Sequence, residues 1–182
     1  MRVISGTARG RKLKEPAGYS IRPTSDKNKE SLFNIIQFDI EGRQVLDLFA
    51  GTGQIGIEAL SRGAGYVVFV DSSKDSIQLI RENVKICGFS ELSSVYARDA
   101  LRYLENNEKY DLIFIDPPYE TKLAEKAISL ITEFDKLNIN GIIMCEVKAD
   151  VETPLVQHPY LMQKEYKYSG VKMVKYTRLP DQ

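Results

Sequence analysis

With 182 residues, 43% of them hydrophobic and 27% charged, the chain has the size and make-up of one globular domain around a single core. No apolar run approaches the roughly 18 residues that a membrane helix needs, and the start Met1-Arg2-Val3-Ile4-Ser5-Gly6 lacks the apolar stretch of a secretory signal. Net charge is zero but unevenly spread: residues 1–29 carry eight bases and two acids, a local +6 that the other 153 residues balance with −6. Such asymmetry suits a basic arm laid on a polyanion and equally a solvated basic loop; charge alone leaves both open.

In chain order, a basic, glycine-rich stretch comes first, with two short strand candidates at residues 2–5 and 11–14. A helix over about 25–37 follows, with Leu32, Phe33, Ile35 and Ile36 as its buried side. Residues 45–49 form an apolar run that ends at Gly51 and Gly53, and residues 55–62 read as a helix stopped by Gly63. Residues 66–70 are a β-branched and aromatic strand. Ile77, Ile80, Val84 and Cys87 then recur at helical spacing up to Gly88. A weaker strand at 93–97, a short helix near 100–106, a strongly apolar strand at 111–115, a helix marked by Leu123, Ala127, Ile128 and Ile131, and a strand at 141–147 complete the middle. Residues 161–168 and 171–178, joined by Ser169-Gly170, read as a hairpin.

Strands that alternate with helices and are apolar throughout predict a doubly wound α/β fold, a parallel sheet covered on both faces, with the hairpin as an antiparallel edge. Cys87 and Cys145 stand apart in apolar surroundings, so two buried thiols of a cytoplasmic protein are expected rather than a disulfide or a metal site. The single histidine, His158, excludes a metal cluster built on histidines, and no metal is expected.

The segment Asp47-Leu48-Phe49-Ala50-Gly51-Thr52-Gly53-Gln54-Ile55-Gly56 follows a strand and opens a helix. Gly51, Gly53 and Gly56 match the dinucleotide fingerprint G-x-G-x-x-G, with Asp71 where a ribose-binding acid would stand, so an NAD-binding oxidoreductase competes. Asp47 argues against it, because a pyrophosphate on the helix N-terminus wants backbone N–H groups and not a carboxylate beside it. S-adenosylmethionine carries an ammonium and a sulfonium, which suit an acid facing the crevice. Its carboxylate can face the N–H groups around Gly51 to Gly53, and its ribose hydroxyls fall to Asp71. Asp99, with the N–H of Ala100, can meet the adenine at the end of the third strand.

Asp116-Pro117-Pro118-Tyr119 follows directly on the fourth strand. An exocyclic amine on a base ring is a poor nucleophile because its lone pair is delocalised. The Asp116 carboxylate and the Pro117 carbonyl can each accept one of its N–H groups and aim the lone pair at a sulfonium methyl. The two prolines fix that carbonyl, and Tyr119 offers a face on which a flipped-out base can stack.

The D-x-F-x-G-x-G loop with a later D-P-P-Y resembles class I methyltransferases that act on amino groups of bases. The runs from Arg2 to Leu13 and from Arg22-Pro23-Thr24 to Lys27, with Lys29-Glu30-Ser31-Leu32-Phe33-Asn34, are similar to the RsmD family, bacterial enzymes that modify a guanine N2 in small-subunit ribosomal RNA. The resemblance covers essentially the whole chain. It implies a seven-stranded Rossmann-like sheet over residues 41–182, preceded at 1–40 by a basic hairpin and helix that face RNA and lid the site. It implies S-adenosylmethionine as cofactor and S-adenosylhomocysteine as product, held by Asp47, Phe49, Ala50, Gly51, Gly53, Asp71, Ser72, Asp99 and Ala100, with Arg22, Pro23 and Thr24 folded over them. Asp116, Pro117, Pro118 and Tyr119 would hold the target amine. Arg2, Arg9, Arg11, Lys12, Lys14 and Lys27 would contact the backbone of 16S rRNA, free or in a small-subunit assembly particle. Adenine-N6 methylation of DNA or RNA remains the alternative, since the tetrapeptide serves both amines. Lys29 departs from the pattern by standing where the family would place arginine.

Overall fold

In the computed structural model, residues 1–16, 26–118, 122–168 and 170–181 are described. The expected site residues Arg22, Pro23, Thr24 and Tyr119 lie outside the described residues. The apolar runs become strands β1 (Gln44–Leu48), β2 (Tyr66–Asp71), β3 (Ser93–Ala97), β4 (Tyr110–Ile115), β5 (Leu137–Lys148), β6 (Tyr160–Lys167) and β7 (Val171–Arg178). They pair in one seven-stranded sheet of order β3-β2-β1-β4-β5-β7-β6. β1 to β5 run parallel, and β7 lies antiparallel between β5 and β6, as the hairpin reading expected.

The helices are α1 (Asp26–Ile35), α2 (Gln54–Ser61), α3 (Lys74–Cys87), α4 (Ala100–Tyr103) and α5 (Leu123–Glu133). Both faces of the sheet are covered at its centre, which is why β2 and β4 carry apolar residues at nearly every position rather than every second one. On one face Phe33 of α1, Ile57 of α2 and Ile80 of α3 pack on Val45, Val67 and Phe114. On the other, Tyr103 of α4 and Ile128 of α5 pack on Leu46, Val68 and Ile113. α3 shows the sequence logic well: Ser73 caps its first turn by accepting from the Ser76 N–H, and Gly88 ends it at φ 78°. Cys87 and Cys145 are buried and free.

Two boundaries and one burial differ from the sequence reading. α4 stops at Tyr103 rather than near 106, β5 begins at Leu137 rather than 141, and Ile35 is only half-buried. The N-terminal hairpin narrows to one antiparallel bridge, Arg2 with Lys12. Val3, Gly10 and Leu13 donate across it, to the carbonyls of Arg11, Val3 and Met1, while other backbone donors reach the body of the protein. The N–H groups of Ile4 and Ser5 donate to the two carboxylate oxygens of Glu58 at 2.8 and 2.9 Å, and those of Thr7 and Ala8 go to the carbonyl and hydroxyl of Ser61. A Cβ on Gly6, which sits at φ 81°, would lie 1.6 Å from the Ser61 carbonyl oxygen, so only glycine allows this approach.

Glu58 is fully buried on α2, and so is Lys29 on α1. The Lys29 ammonium donates to the Arg2 carbonyl at 2.6 Å and lies 3.9 Å from Glu58, while the Arg62 guanidinium donates to Glu58 at 2.9 Å. Burial pushes the Lys29 ammonium below the usual lysine range, and Glu58 pulls it back up. This explains the lysine where the RsmD resemblance led one to expect arginine: a point charge on a long stem reaches both a carbonyl and a carboxylate inside the protein. Glu58→Ala would leave Lys29 buried without its counter-charge. The expected loss is about 3–5 kcal/mol in denaturant unfolding, against under about 1 kcal/mol for the exposed pair of Arg2 and Asp26.

Candidate active site

β1 and β4 are neighbours, yet the chain leaves them in opposite directions, β1 toward β2 and β4 toward β5. Right-handed crossovers then put α2 on one face and α5 on the other, and a crevice opens at the carboxyl ends of the two strands. The glycine loop turns there. Phe49, Gly51 and Gly53 all have left-handed backbones, with φ of 66°, 55° and 75°. A Cβ on Gly53 would press on Ile80, and one on Gly56 would lie 2.3 Å from the Phe69 ring, so Gly56 serves the seating of α2 on the sheet.

The loop is tied from within. Gly51 donates its N–H to Asp71 at 2.8 Å, and the other Asp71 oxygen accepts from Ser73, also at 2.8 Å. Gly53 donates to the Ala50 carbonyl at 2.7 Å, and Ala50 to Val70 at 3.0 Å. The Gly51 and Gly53 N–H groups, offered to a ligand carboxylate by the sequence reading, are thus engaged by the chain itself. Asp47 is tied in as well. It is 3% exposed, and its carboxylate accepts the Gly56 N–H at 2.9 Å, so it braces the first turn of α2. Burial pushes its pKa up to about 8, with smaller contributions from the charges of Asp116 and Asp71, against the pull of the Gly56 N–H.

Asp71 and Ser72 stand at the end of β2, half-buried and exposed respectively. Asp99, exposed, caps α4 by accepting from Arg102 at 3.0 Å, with Ala100 buried behind it. Asp116 follows β4, half-buried, with Pro117 buried and Pro118 exposed. An apolar-walled cleft opens beside it, in which Leu32, Ile55, Met144 and Met173 surround Asp116 and Glu146. Two polar positions here escaped the sequence reading. Glu146, 8% exposed, is the one acid in the apolar run of β5, and that oddity was its signal. Gln54, 5% exposed at the start of α2, keeps its side-chain carbonyl oxygen buried with no hydrogen-bond partner among the described residues.

The basic residues expected on RNA are all exposed, but several already hold the chain. Arg2 pairs with Asp26 at 3.3 Å, Lys14 pairs with Glu82 at 2.8 Å, and Arg11 donates to the Ile86 carbonyl at 3.2 Å. Arg9, Lys12 and Lys27 complete the set. The buried amide of Asn83 joins the Lys14 backbone to the Thr52 carbonyl, so this basic segment is linked to the glycine loop through α3.

At the carboxyl edge of the sheet, Asp47, Asp71, Asp99 and Asp116 sit at or just beyond the ends of β1 to β4 and Glu146 near the end of β5, while Gln54, with its orphaned oxygen, opens α2 directly after the glycine loop. Such an acidic edge fits S-adenosylmethionine, whose ammonium, ribose hydroxyls and adenine amine are all donors and whose sulfonium is a cation. Fold and site together define a class I, S-adenosylmethionine-dependent methyltransferase. The chain belongs to the family described as Conserved hypothetical protein 95, whose profile matches residues 1–177, in agreement with the RsmD resemblance. It is 41% identical to the Bacillus subtilis protein YlbH, covering 96% of this chain and 98% of that one. It is 39% identical to Ribosomal RNA small subunit methyltransferase D of Haemophilus influenzae, covering 82% and 80%. The solved structure of the Escherichia coli protein yhhF superposes with a TM-score of 0.90 at 29% identity, over 98% of each chain.

The raised pKa of Asp47 has a measurable consequence. Unfolded, the carboxyl ionises near 3.8; folded, it holds its proton to about 8, so its contribution is fully present below the first value and is lost as pH rises to the second. Asp47→Asn can still accept the Gly56 N–H but does not titrate. In denaturant unfolding of the ligand-free protein, its stability relative to wild type is expected to rise between pH 4 and about 8 and to level off above. A difference that stays flat with pH would refute this assignment.

Proposed function

We propose that this protein transfers a methyl group from S-adenosylmethionine to the N2 amine of a specific guanine in 16S ribosomal RNA. The observation that carries the reading is the placement of Asp116 and buried Pro117 at the end of a central strand, opening on an apolar cleft next to the glycine loop. The name of the Haemophilus influenzae relative supports the same class of substrate.

When bound, S-adenosylmethionine supplies an electrophilic methyl on its sulfonium. Asp71 and Ser72 take its ribose, Asp99 and Ala100 its adenine, and the Gln54 oxygen, with Asp47 behind it, the ammonium. The Asp116 carboxylate and the Pro117 carbonyl accept the two N–H groups of the target amine, which restores its lone pair and fixes its direction. The wall of Leu32, Ile55 and Met144 excludes water, which strengthens both hydrogen bonds. Tyr119, next after Pro118, supplies a ring for the flipped base to stack on. Residues 1–40, with Arg9, Lys12 and Lys27 outward, form the RNA-facing part; Arg22, Pro23 and Thr24 belong to the same part by sequence.

Mass mapping of methylated nucleosides in 16S rRNA, from cells with and without the gene, is expected to show one N2-methylguanosine that depends on it. A dependent N6-methyladenosine instead would sink the guanine reading. In single-turnover transfer, Asp116→Ala is expected to lose about 10²–10³ in rate with S-adenosylhomocysteine binding nearly intact, and Asp116→Asn to lose less because its amide oxygen still accepts. Full activity in Asp116→Ala would end this mechanism.

The basic segment gives an independent test. Replacing Arg9 and Lys12 by glutamine is expected to weaken RNA binding and to flatten its dependence on salt, by about one unit of slope for each phosphate left without its cation. Cofactor affinity should stay unchanged. Wild-type RNA affinity at several salt concentrations would make this segment a solvated loop.

A further inference from the structure

We infer that the sheet face beside the cleft, carried by β6, β7 and the end of β5, is a second RNA contact: Tyr166 and Tyr168 stack the unpaired bases that flank the target, and Lys148 and Lys164 meet their phosphates. The inference rests on the rRNA reading and deepens it. In register, Met173 on β7 lies between Glu146 on β5 and Tyr166 on β6, and Lys175 lies between Met144 and Lys164. One step further out, Val171 pairs with Lys148, and its carbonyl accepts the Tyr168 N–H at 2.8 Å. Side chains at matched positions of neighbouring strands share a face of the sheet. Lys148, Lys164, Tyr166 and Tyr168 therefore all stand on the face of Met173, which lines the cleft. Tyr166 and Tyr168 are half-buried there, packed against the core cluster of that face. Adjacent strands lie about 5 Å apart, so Tyr166 stands one such step beyond Met173 and the rim of the cleft.

The charge of this face selects its occupant. Residues 160–178 carry five bases and one acid, an excess that suits a polyanion. That acid, Glu165, lies on the opposite face beside Lys172 at 3.4 Å. Lys175 is held by Asp39 at 3.3 Å, whereas Lys148 and Lys164 are exposed. The Lys164 ammonium lies 5.1 Å from the centre of the Tyr166 ring. Such a contact is weak where solvent reaches it, so a base can take the ring and leave the ammonium to the phosphate. Aromatic rings on a sheet face, with cations beside them, are a common means of holding single-stranded RNA. A target base that flips into the cleft leaves its neighbours without a stacking partner. Continuity of the RNA strand sets those neighbours next to the cleft, and the two tyrosines offer the flat faces they have lost.

The experiment measures binding of 16S rRNA ligated from fragments, free or assembled into small-subunit particles, with an abasic residue placed in turn at the positions flanking the methylated one. Wild type is expected to lose roughly 5- to 100-fold in affinity at one or two of these positions, the range for one base–aromatic stack. Tyr166→Leu and Tyr168→Leu keep an apolar side chain but remove the ring. Each should lose a similar factor on intact RNA and little more on the matching abasic RNA, while binding S-adenosylhomocysteine normally by calorimetry. Tyr166→Phe and Tyr168→Phe should bind RNA as wild type does. If a leucine variant fails to bind S-adenosylhomocysteine, the double variant Lys148→Gln, Lys164→Gln decides from exposed positions. It should flatten the salt dependence of RNA binding by about two units of slope, one for each phosphate left without its cation. A wild type indifferent to every flanking abasic residue, leucine variants as sensitive to them as wild type, or an unchanged salt slope in the lysine variant overturns this surface. Each of these results would leave the guanine reading standing where the product is N2-methylguanosine, and a product of N6-methyladenosine would defeat that reading separately.

Discussion

The divergence of the chain at β1 and β4 is the constraint on which the site depends. Strand order reverses there, and a crossover from a right-twisted strand packs back on a sheet with only one hand. α2 is therefore forced to one face and α5 to the other, and no helix can close the gap between them. The strand ends left uncovered carry acids, and the cleft beside Asp116 is walled by residues from α1, α2, β4, β5 and β7.

That edge concentrates negative charge in a poorly solvated place. Asp47 shows the result, since its buried carboxyl keeps a proton that an exposed aspartate would have lost. Asp71 ties the loops after β1 and β2 together through Gly51 and Ser73, so the two loops form one preorganised rim. A ligand rich in donors and cationic at its reacting centre relieves this concentration. A pyrophosphate would add to it, which is the physical ground for rejecting a dinucleotide despite the matching glycines.

The N-terminal segment is fastened by polar chemistry rather than by strand pairing. Glu58 gathers two backbone N–H groups and two cations inside the protein. Buried charges of this kind cost desolvation, and their value lies in specifying one arrangement more than in adding stability. The arrangement specified here sets α1 against the sheet, so Leu32 becomes a wall of the cleft. It also holds the exposed bases of residues 1–14 on a rigid support whose other end, through Asn83, is the glycine loop.

The sequence by itself determined the alternation of strands and helices, the position of the glycine loop and the place of Asp116-Pro117 after a buried strand, because these rest on local periodicity and on residues whose chemistry is unusual wherever they stand. Tertiary structure alone decided which backbone N–H groups the chain keeps for itself: Gly51 and Gly53 read as ligand donors, yet Asp71 and Ala50 hold them. It decided that Lys29 is buried against Glu58, a meeting that depends on how α1 lies on α2. It also decided that Glu146 stands beside Asp116. The two are far apart in the chain, and only the register of β4 on β5, fixed by backbone hydrogen bonds between strands, makes them neighbours.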